Sequence, residues 1–341
     1  QALIFMITNS GYDKTSVCYD YHQYGQKVAA GQRENDAFFA FICSLDEGDD
    51  PFKDESCWGK ANPSMGHTFL SDYLREQVED ARGMPAKESL VRRLNFCQWV
   101  DAENPWISGD IWMACEKDIS IEQLRGKTCF GGLDLSGKRD LTSLSLYFPD
   151  ISVMLTEFWT PKDTLYDRAR VDRVPYDVWE RDGHIHAPPG TAIDYGFVAK
   201  RMAELAAMFD IRKVAFDRYH IDYLTPELDD EGVTVPLVPH GQGFGKSADS
   251  GLWMPHSIEL FEQMIMEKRI SIVLNPCLRW CAANAVIEED KNGNRVFSKR
   301  RSNGRIDGVV SGAMAVGAAE GDEEDDSDIE GFFDDPIIVG I

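Results

Sequence analysis

Three aspartates stand where the chain changes character. Asp134 sits inside the apolar run Thr128 to Leu135, Asp217 follows the short run Arg212 to Phe216 (RKVAF), and Asp307 opens the small-residue run GVVSGAMAVGAA. An acid within an apolar strand is costly to bury alone. Taken singly, Asp134 therefore reads as a strand-end acid facing solvent. Carboxylates gathered by a fold repel one another unless cations bind between them. Their hard oxygens suit magnesium. Two such ions roughly 3.5–4 Å apart can hydrolyse a phosphodiester in line, one generating hydroxide and the other stabilising the leaving oxygen. Just before Asp307 come Lys291, Arg295, Lys299, Arg300, Arg301 and Arg305, six cations with no acid among them. A solvated loop would also carry such charge, but the position directly before an acid at a helix start favours contact with backbone phosphates.

The elements that must position these residues follow from periodicity. Thr128–Leu135 and Leu141–Phe148 read as two strands joined by the polar turn Ser136 to Asp140, the second alternating as a half-buried strand does. Ser152–Thr160 gives a third. Helices are expected over Asp194–Phe209, Ile221–Leu228, Pro255–Glu267, Leu278–Val286 and Gly308–Glu320, the last small enough to pack closely on a sheet. Shorter strands are expected at Arg212–Phe216, Val233–Val238 and Arg295–Phe297. Upstream, Ala2–Ile7 reads as a buried parallel strand ending in Thr8, Asn9, Ser10 and Gly11, where open α/β sheets place ligand contacts. A helix follows over Asp13–Ala30, with Asp13 or Thr15 as N-cap and Gly31 as its stop. A strand at Ala37–Leu45 and helices at Phe69–Arg82 and Lys87–Trp99 come next. Trp99, Trp106 and Trp112 read as core, because no basic residues interleave them.

Other signals exclude. Gly132 to Lys138 has the spacing of a phosphate-binding loop, but Arg139 follows instead of Ser or Thr, and a strand follows instead of a helix. Gly241 to Ser247 has one residue too few between its glycines. His184 and His186 lack further ligands nearby and read as a surface pair on a short strand. Eight scattered cysteines without a CxxC pair argue against disulfide or zinc frameworks and fit a reducing cytosol. No apolar run reaches the 18 or so residues of a membrane span, and no signal peptide opens the chain. The 341 residues, 43% hydrophobic, suffice for two domains. A net charge of -23 opposes simple adhesion to nucleic acid or anionic membrane. Residues 321–341 hold nine acids and no Lys or Arg, and read as a disordered tail. The chain reads as starting in the middle of a domain.

Three antiparallel strands followed by alternating helices and shorter strands resemble the ribonuclease H-like nucleases. In that plan, acids lie on the first strand, after the fourth, and on a late helix. More specifically, GLDLSGKRDLTSL, VAFDRYH and GRIDGVVSGAMAVGAA resemble the three nuclease motifs of the large terminase subunit of tailed bacteriophages. NPCLRWCAANAV and Gly241 to Phe244 resemble segments between them. MITNSGYDKTSVCYDYHQYGQKV resembles the end of that family's ATPase core, and ANPSMG its lid region. The resemblance implies an α/β chain in three parts. Residues 1–126 would be the C-terminal portion of a P-loop-type ATPase domain with a lid, residues 127–320 a ribonuclease H-like nuclease with a mixed sheet flanked by helices, and residues 321–341 the acidic tail. It implies Asp134, Asp217 and Asp307 as catalytic ligands of two Mg²⁺ or Mn²⁺ ions, with Asp140 as a further ligand. It implies Thr8, Asn9, Ser10 and Gly11 as the coupling motif. ATP would act only in the complete protein, because the phosphate-binding loop does not lie in this chain. The implied partners are double-stranded DNA, the portal protein and the small terminase subunit, in an oligomeric ring on the portal. The implied place is the host cytoplasm, transiently at the procapsid. The apolar end of the tail is expected to dock a packaging partner such as the portal. A transposase or resolvase on the same acids, and a noncatalytic portal-binding module, are the rival readings. The upstream coupling segment argues against the first, and the retained acids against the second.

Overall fold

The computed structural model describes residues 3–12, 16–82, 85–100, 106–135, 141–302 and 304–334, with the backbone alone described at 85–86 and 321–334. The turn carrying Asp140 lies outside the described residues. The chain divides into two units, one formed by residues 1–108 with 283–286 and 300–303, the other by 109–282, 287–299 and 304–341.

The first unit is helical. It contains α1 (Val17–Ala29), α2 (Trp58–Ala61), α3 (Ser71–Arg82) and α4 (Pro85–Phe96). Ser16 caps α1 by accepting from the Tyr19 amide, and Gly31 follows with φ +70°. The expected caps Asp13 and Thr15 lie outside the described residues. Trp58, Leu74, Val78, Val91 and Phe96 form its core. Two expected strands are not formed. The runs Ala2–Ile7 and Ala37–Leu45 pair with nothing among the described residues, and Leu3, Ile7 and Phe39 are 89%, 87% and 87% exposed. A strand exists only through a neighbour that takes up its backbone groups; apolar composition alone does not make one.

The second unit is a seven-stranded sheet flanked by helices, so the α/β, ribonuclease H-like expectation is met here. After α5 (Gly109–Cys115) come β1 (Glu116–Lys117), β2 (Thr128–Asp134), β3 (Thr142–Phe148) and β4 (Val153–Trp159). The chain continues through α6 (Leu165–Asp172), α7 (Tyr176–Arg181), α8 (Tyr195–Met208), β5 (Asp210–Phe216), α9 (Ile221–Asp230), β6 (Leu237–Pro239), α10 (Met254–Met266) and β7 (Ser271–Val273). Last come α11 (Pro276–Asn284), the hairpin β8 (Ile287–Glu289) with β9 (Arg295–Phe297), and α12 (Asp307–Asp334). The sheet order is β1-β7-β4-β3-β2-β5-β6. β3 runs antiparallel to both β2 and β4, and β5 runs parallel to β2.

Burial on both faces overturns the half-buried reading of β3, whose seven residues are all buried. Its Leu144, Leu146 and Phe148 join a core with Val198, Met202 and Leu224 of α8 and α9. Its Ser143 and Ser145 meet α12 instead: Ser145 Oγ lies 2.8 Å from both Thr156 Oγ1 and Ser311 Oγ, and Ser143 Oγ lies 3.0 Å from Ser311 Oγ. Alternating Leu and Ser thus marks a dry face and a hydrogen-bonded face, both inside. The backbone of α12 continues to Asp334, into the acidic segment. His184 and His186 form no strand; His186 makes one bridge to Trp159, stacks on its ring at 5.3 Å and bonds Glu157. The strand expected over Val233–Val238 shrinks to β6.

Asn275 ties α11 to the sheet. Its Oδ1 accepts from the Cys277 amide at 2.9 Å, and its Nδ2 donates to the Thr156 carbonyl of β4 at 3.4 Å and to the His184 carbonyl at 3.2 Å. Asn275→Ala removes a helix cap and orphans a carbonyl, so it is expected to cost about 2 kcal/mol in chemical denaturation.

Candidate functional site

The register of the sheet brings two of the acids together. Leu133 of β2 pairs with Phe216 of β5 in parallel, so Asp134 and Asp217, each the next residue, leave neighbouring strand ends side by side. Adjacent strands lie about 4.8 Å apart. Across β2, Asp134 stands opposite Ser143, whose hydroxyl donates to the Asp307 carbonyl at 2.8 Å. Asp307 begins α12, and glycine lets that helix come close. A Cβ on Gly132 would stand 2.0 Å from the Ser311 carbonyl oxygen and 2.6 Å from the Ala315 amide nitrogen. The backbone of α12 therefore rests on the backbone of β2.

Asp134, Asp217, Gln242, Met254, Phe297, Lys299 and Val310 line a cleft of about 230 Å³ at this sheet end. The Asp134 and Asp307 side chains are only 4% and 3% exposed. Between them lies the Lys299 ammonium, 3.0 Å from Asp134 Oδ2 and 2.9 Å from Asp307 Oδ1. Those two oxygens are thus within about 6 Å of each other, the sum of the two contacts. Burial pushes the Asp134 carboxyl up to about 7; Lys299 pulls it down while Asp307 and Asp217 push it further up. Burial opposes the Lys299 charge, but the two carboxylates outweigh it and raise its pKa. Asp217 is half-buried at the cleft, and its Oδ1 accepts from the Tyr219 amide at 3.3 Å.

Among the described residues, no three His, Cys, Asp or Glu side chains converge tightly enough to hold one ion by themselves. The arrangement instead puts Asp134 and Asp217 on the cleft and Asp307 behind Lys299, whose ammonium it shares with Asp134. Fully ionised, that leaves two negative charges uncompensated. The donor set fits hard divalent cations, being carboxylate oxygens without thiolate or imidazole.

The basic run divides. Lys299 is inside the site. Arg295 pairs with Glu262 at 2.6 Å, and Arg305 with Asp172 at 3.4 Å. Lys291 is exposed in the β8–β9 turn, which Asp290 organises by accepting from the Asn292 and Asn294 amides. Arg300 and Arg301 are exposed and belong to the first unit. Also in that unit, Thr8 and Asn9 are exposed, Ser10 Oγ donates to the Cys97 carbonyl at 2.6 Å, and Gly11 lies against Trp99, where a Cβ would stand 2.7 Å from the indole.

Sequence reasoning missed the place of Lys299, and nothing in its local sequence separates it from its basic neighbours. It also missed His240, which follows β6 and is 3% exposed, with Nε2 2.9 Å from Ser257 Oγ on α10. Burial depresses its pKa from 6.5 to about 4. Above pH 6.5 the ring is neutral in folded and unfolded chains alike. Between 6.5 and about 4 only the unfolded chain takes up the proton, so stability falls with pH through that window by up to about 3 kcal/mol. Asp134, whose carboxyl is raised to about 7, acts in the opposite sense over the same range, so the His240 contribution is read as a difference: from pH 7.5 to 4.5 the wild type should lose about 2–3 kcal/mol relative to His240→Gln in denaturant titrations.

Comparison with known proteins agrees with this architecture. The family described as "Terminase large subunit, endonuclease domain" matches residues 32–323. The chain is 38% identical over 286 residues to the large terminase subunit of Enterobacteria phage HK97, covering 82% of this chain and 54% of that protein. It is 26% identical over 343 residues to protein YmfN of Escherichia coli (strain K12), covering 96% of this chain and 73% of that one. The crystal structure of the HK97 bacteriophage large terminase superposes with a TM-score of 0.56 at 33% identity, covering 87% of this chain and 60% of that chain. The chain thus spans about half the length of the HK97 protein. With a match across 32–323 and that degree of identity, this chain belongs to the terminase large subunit endonuclease-domain family.

Proposed function

We propose that this chain carries a divalent-metal-dependent endonuclease that cuts concatemeric double-stranded viral DNA during genome packaging. The observation that carries this reading is the meeting of Asp134, Asp217 and Asp307 at one end of the sheet, two of them almost wholly buried. Buried carboxyls stay ionised only where cations or hydrogen-bond donors face them. Asp134 and Asp307 would hold one Mg²⁺ or Mn²⁺, and Asp134 with Asp217 a second; Asp140 is a further candidate. Such ions supply Lewis acidity to a phosphodiester and acidity to water. The chain's own groups hold the cleft. Ser143 and Ser311 fix the start of α12, Gly132 sets its approach to β2, and the Tyr219 amide orients Asp217.

In this reading the exposed Lys291, Arg300 and Arg301 supply phosphate contacts that carry no sequence preference, while Arg295 and Arg305 are held by Glu262 and Asp172. Residues 127–320, with α5 and β1 completing their unit, form the nuclease domain, and residues 1–108 the last part of an ATPase domain whose coupling motif is Thr8 to Gly11. Hydrolysis of ATP, a ring on the portal, and contacts with the portal and small subunit belong to the complete packaging motor in the host cytoplasm. The acidic segment 321–341 is a candidate portal contact. Plasmid cleavage with Mg²⁺ or Mn²⁺, and with EDTA, tests the proposal. Metal-dependent nicking is the expected result; soluble, folded protein that cuts in neither metal would overturn it.

A further inference from the structure

Lys299 was expected among the phosphate contacts, yet its ammonium faces inward. It follows β9, whose Arg295 is anchored on Glu262 of α10, and the adjacent Ser298 hydroxyl donates to Glu288 at 3.0 Å. The hairpin therefore carries the lysine to the carboxylates on a fixed arm, and only the flexible four-carbon stem remains free to move. Half of that side chain, 54%, is accessible although its ammonium touches two buried acids. Lysine suits such a place: it is a compact point charge without the rigid fork of arginine. A divalent ion takes carboxylate oxygens at roughly 2.0–2.1 Å for magnesium. Two cations cannot share a gap whose walls are within about 6 Å of each other without strong repulsion.

Resting on the metal-site reading above, we propose that Lys299 is an exchangeable occupant of the gap between Asp134 and Asp307. It holds the two carboxylates together in the metal-free protein and swings into the cleft when a divalent ion takes their oxygens. The site is then pre-assembled without metal, and metal affinity is reduced by the fraction of molecules with the lysine seated. Lys299 is a positioning residue whose removal strengthens metal binding while weakening the metal-free fold.

The test is calorimetric titration of Mn²⁺ into the whole chain, wild type and Lys299→Met, with thermal melts in EDTA. If the lysine is seated in nine-tenths of molecules, the variant binds about tenfold more tightly. It also melts several degrees lower in EDTA, and Mn²⁺ restores the difference. A variant that binds equally or more weakly overturns the inference and leaves the metal site standing. Absence of Mn²⁺ binding in both proteins overturns the metal site as well. Should the variant not fold, reductive methylation of the wild type decides, with labelling at Lys299 read by peptide mass spectrometry. Labelling several-fold faster with Mn²⁺ than with EDTA, against an unchanged rate at Lys291, supports the exchange; an equal or slower rate overturns it.

Discussion

Replacing Asp307 with asparagine will leave a folded protein whose metal-dependent plasmid nicking falls on the order of 10³-fold, the scale set by losing a charge-stabilising group from a reaction centre. The fold survives because the variant keeps the side-chain shape, and because Ser143 bonds the Asp307 backbone carbonyl and not its carboxylate. Lys299 also keeps Asp134 as a partner. Asp217→Asn should show a comparable loss, because it changes the other side of the same cleft. Glu262→Gln, which loosens only the Arg295 anchor outside the acid cluster, should change the initial rate several-fold at most. Initial nicking rates in Mn²⁺, with circular dichroism melts on each variant, separate lost chemistry from lost fold. Wild-type cutting by Asp307→Asn would remove Asp307 from the reaction centre.

The largest effect on stability is expected at Gly132. Its missing Cβ leaves room for the backbone of α12, and an alanine there would stand 2.0 Å from the Ser311 carbonyl oxygen. Backbone cannot rotate aside as a side chain can, so the helix must lift from the sheet. Gly132→Ala is expected to cost about 4 kcal/mol or more, or to prevent folding. Gly312→Ala is the informative contrast. There the added carbon would meet Met154 Sδ at 3.1 Å and Phe261 at 3.2 Å, both side-chain atoms. Overpacking of about 1–3 kcal/mol is partly offset by the roughly 1 kcal/mol gained on replacing glycine within a helix. Urea titrations should therefore rank Gly132→Ala far below Gly312→Ala. Similar values for the two would mean that α12 does not depend on this close approach.

Much of the second unit was legible because its signals are local. Tyr195–Met208 shows helical spacing, and Asp194 accepts from the Gly196 amide as an N-cap should. The small residues after Asp307 announced a helix pressed on a sheet. What the sequence concealed depends on partners distant along the chain. Ser143 and Ser145 read as solvent-facing because period two cannot say that a helix more than 160 residues later covers them. Leu3 to Ile7 read as a strand because apolar runs carry no information about whether a neighbour exists. Lys299 read as one of six similar cations because its charge is local, whereas its two acidic partners are not.

One consequence of the contact between β2 and α12 concerns inheritance. The spacing of Asp134 and Asp307 is set where one main chain lies against another, at Gly132, and not by the sizes of core side chains. Leucines, valines and phenylalanines in both flanking layers can therefore be exchanged while the pair of acids keeps its separation. An acid pair placed this way is decoupled from drift in the surrounding core, and leaves a single glycine, with almost no chemistry of its own, as the least replaceable position in its neighbourhood.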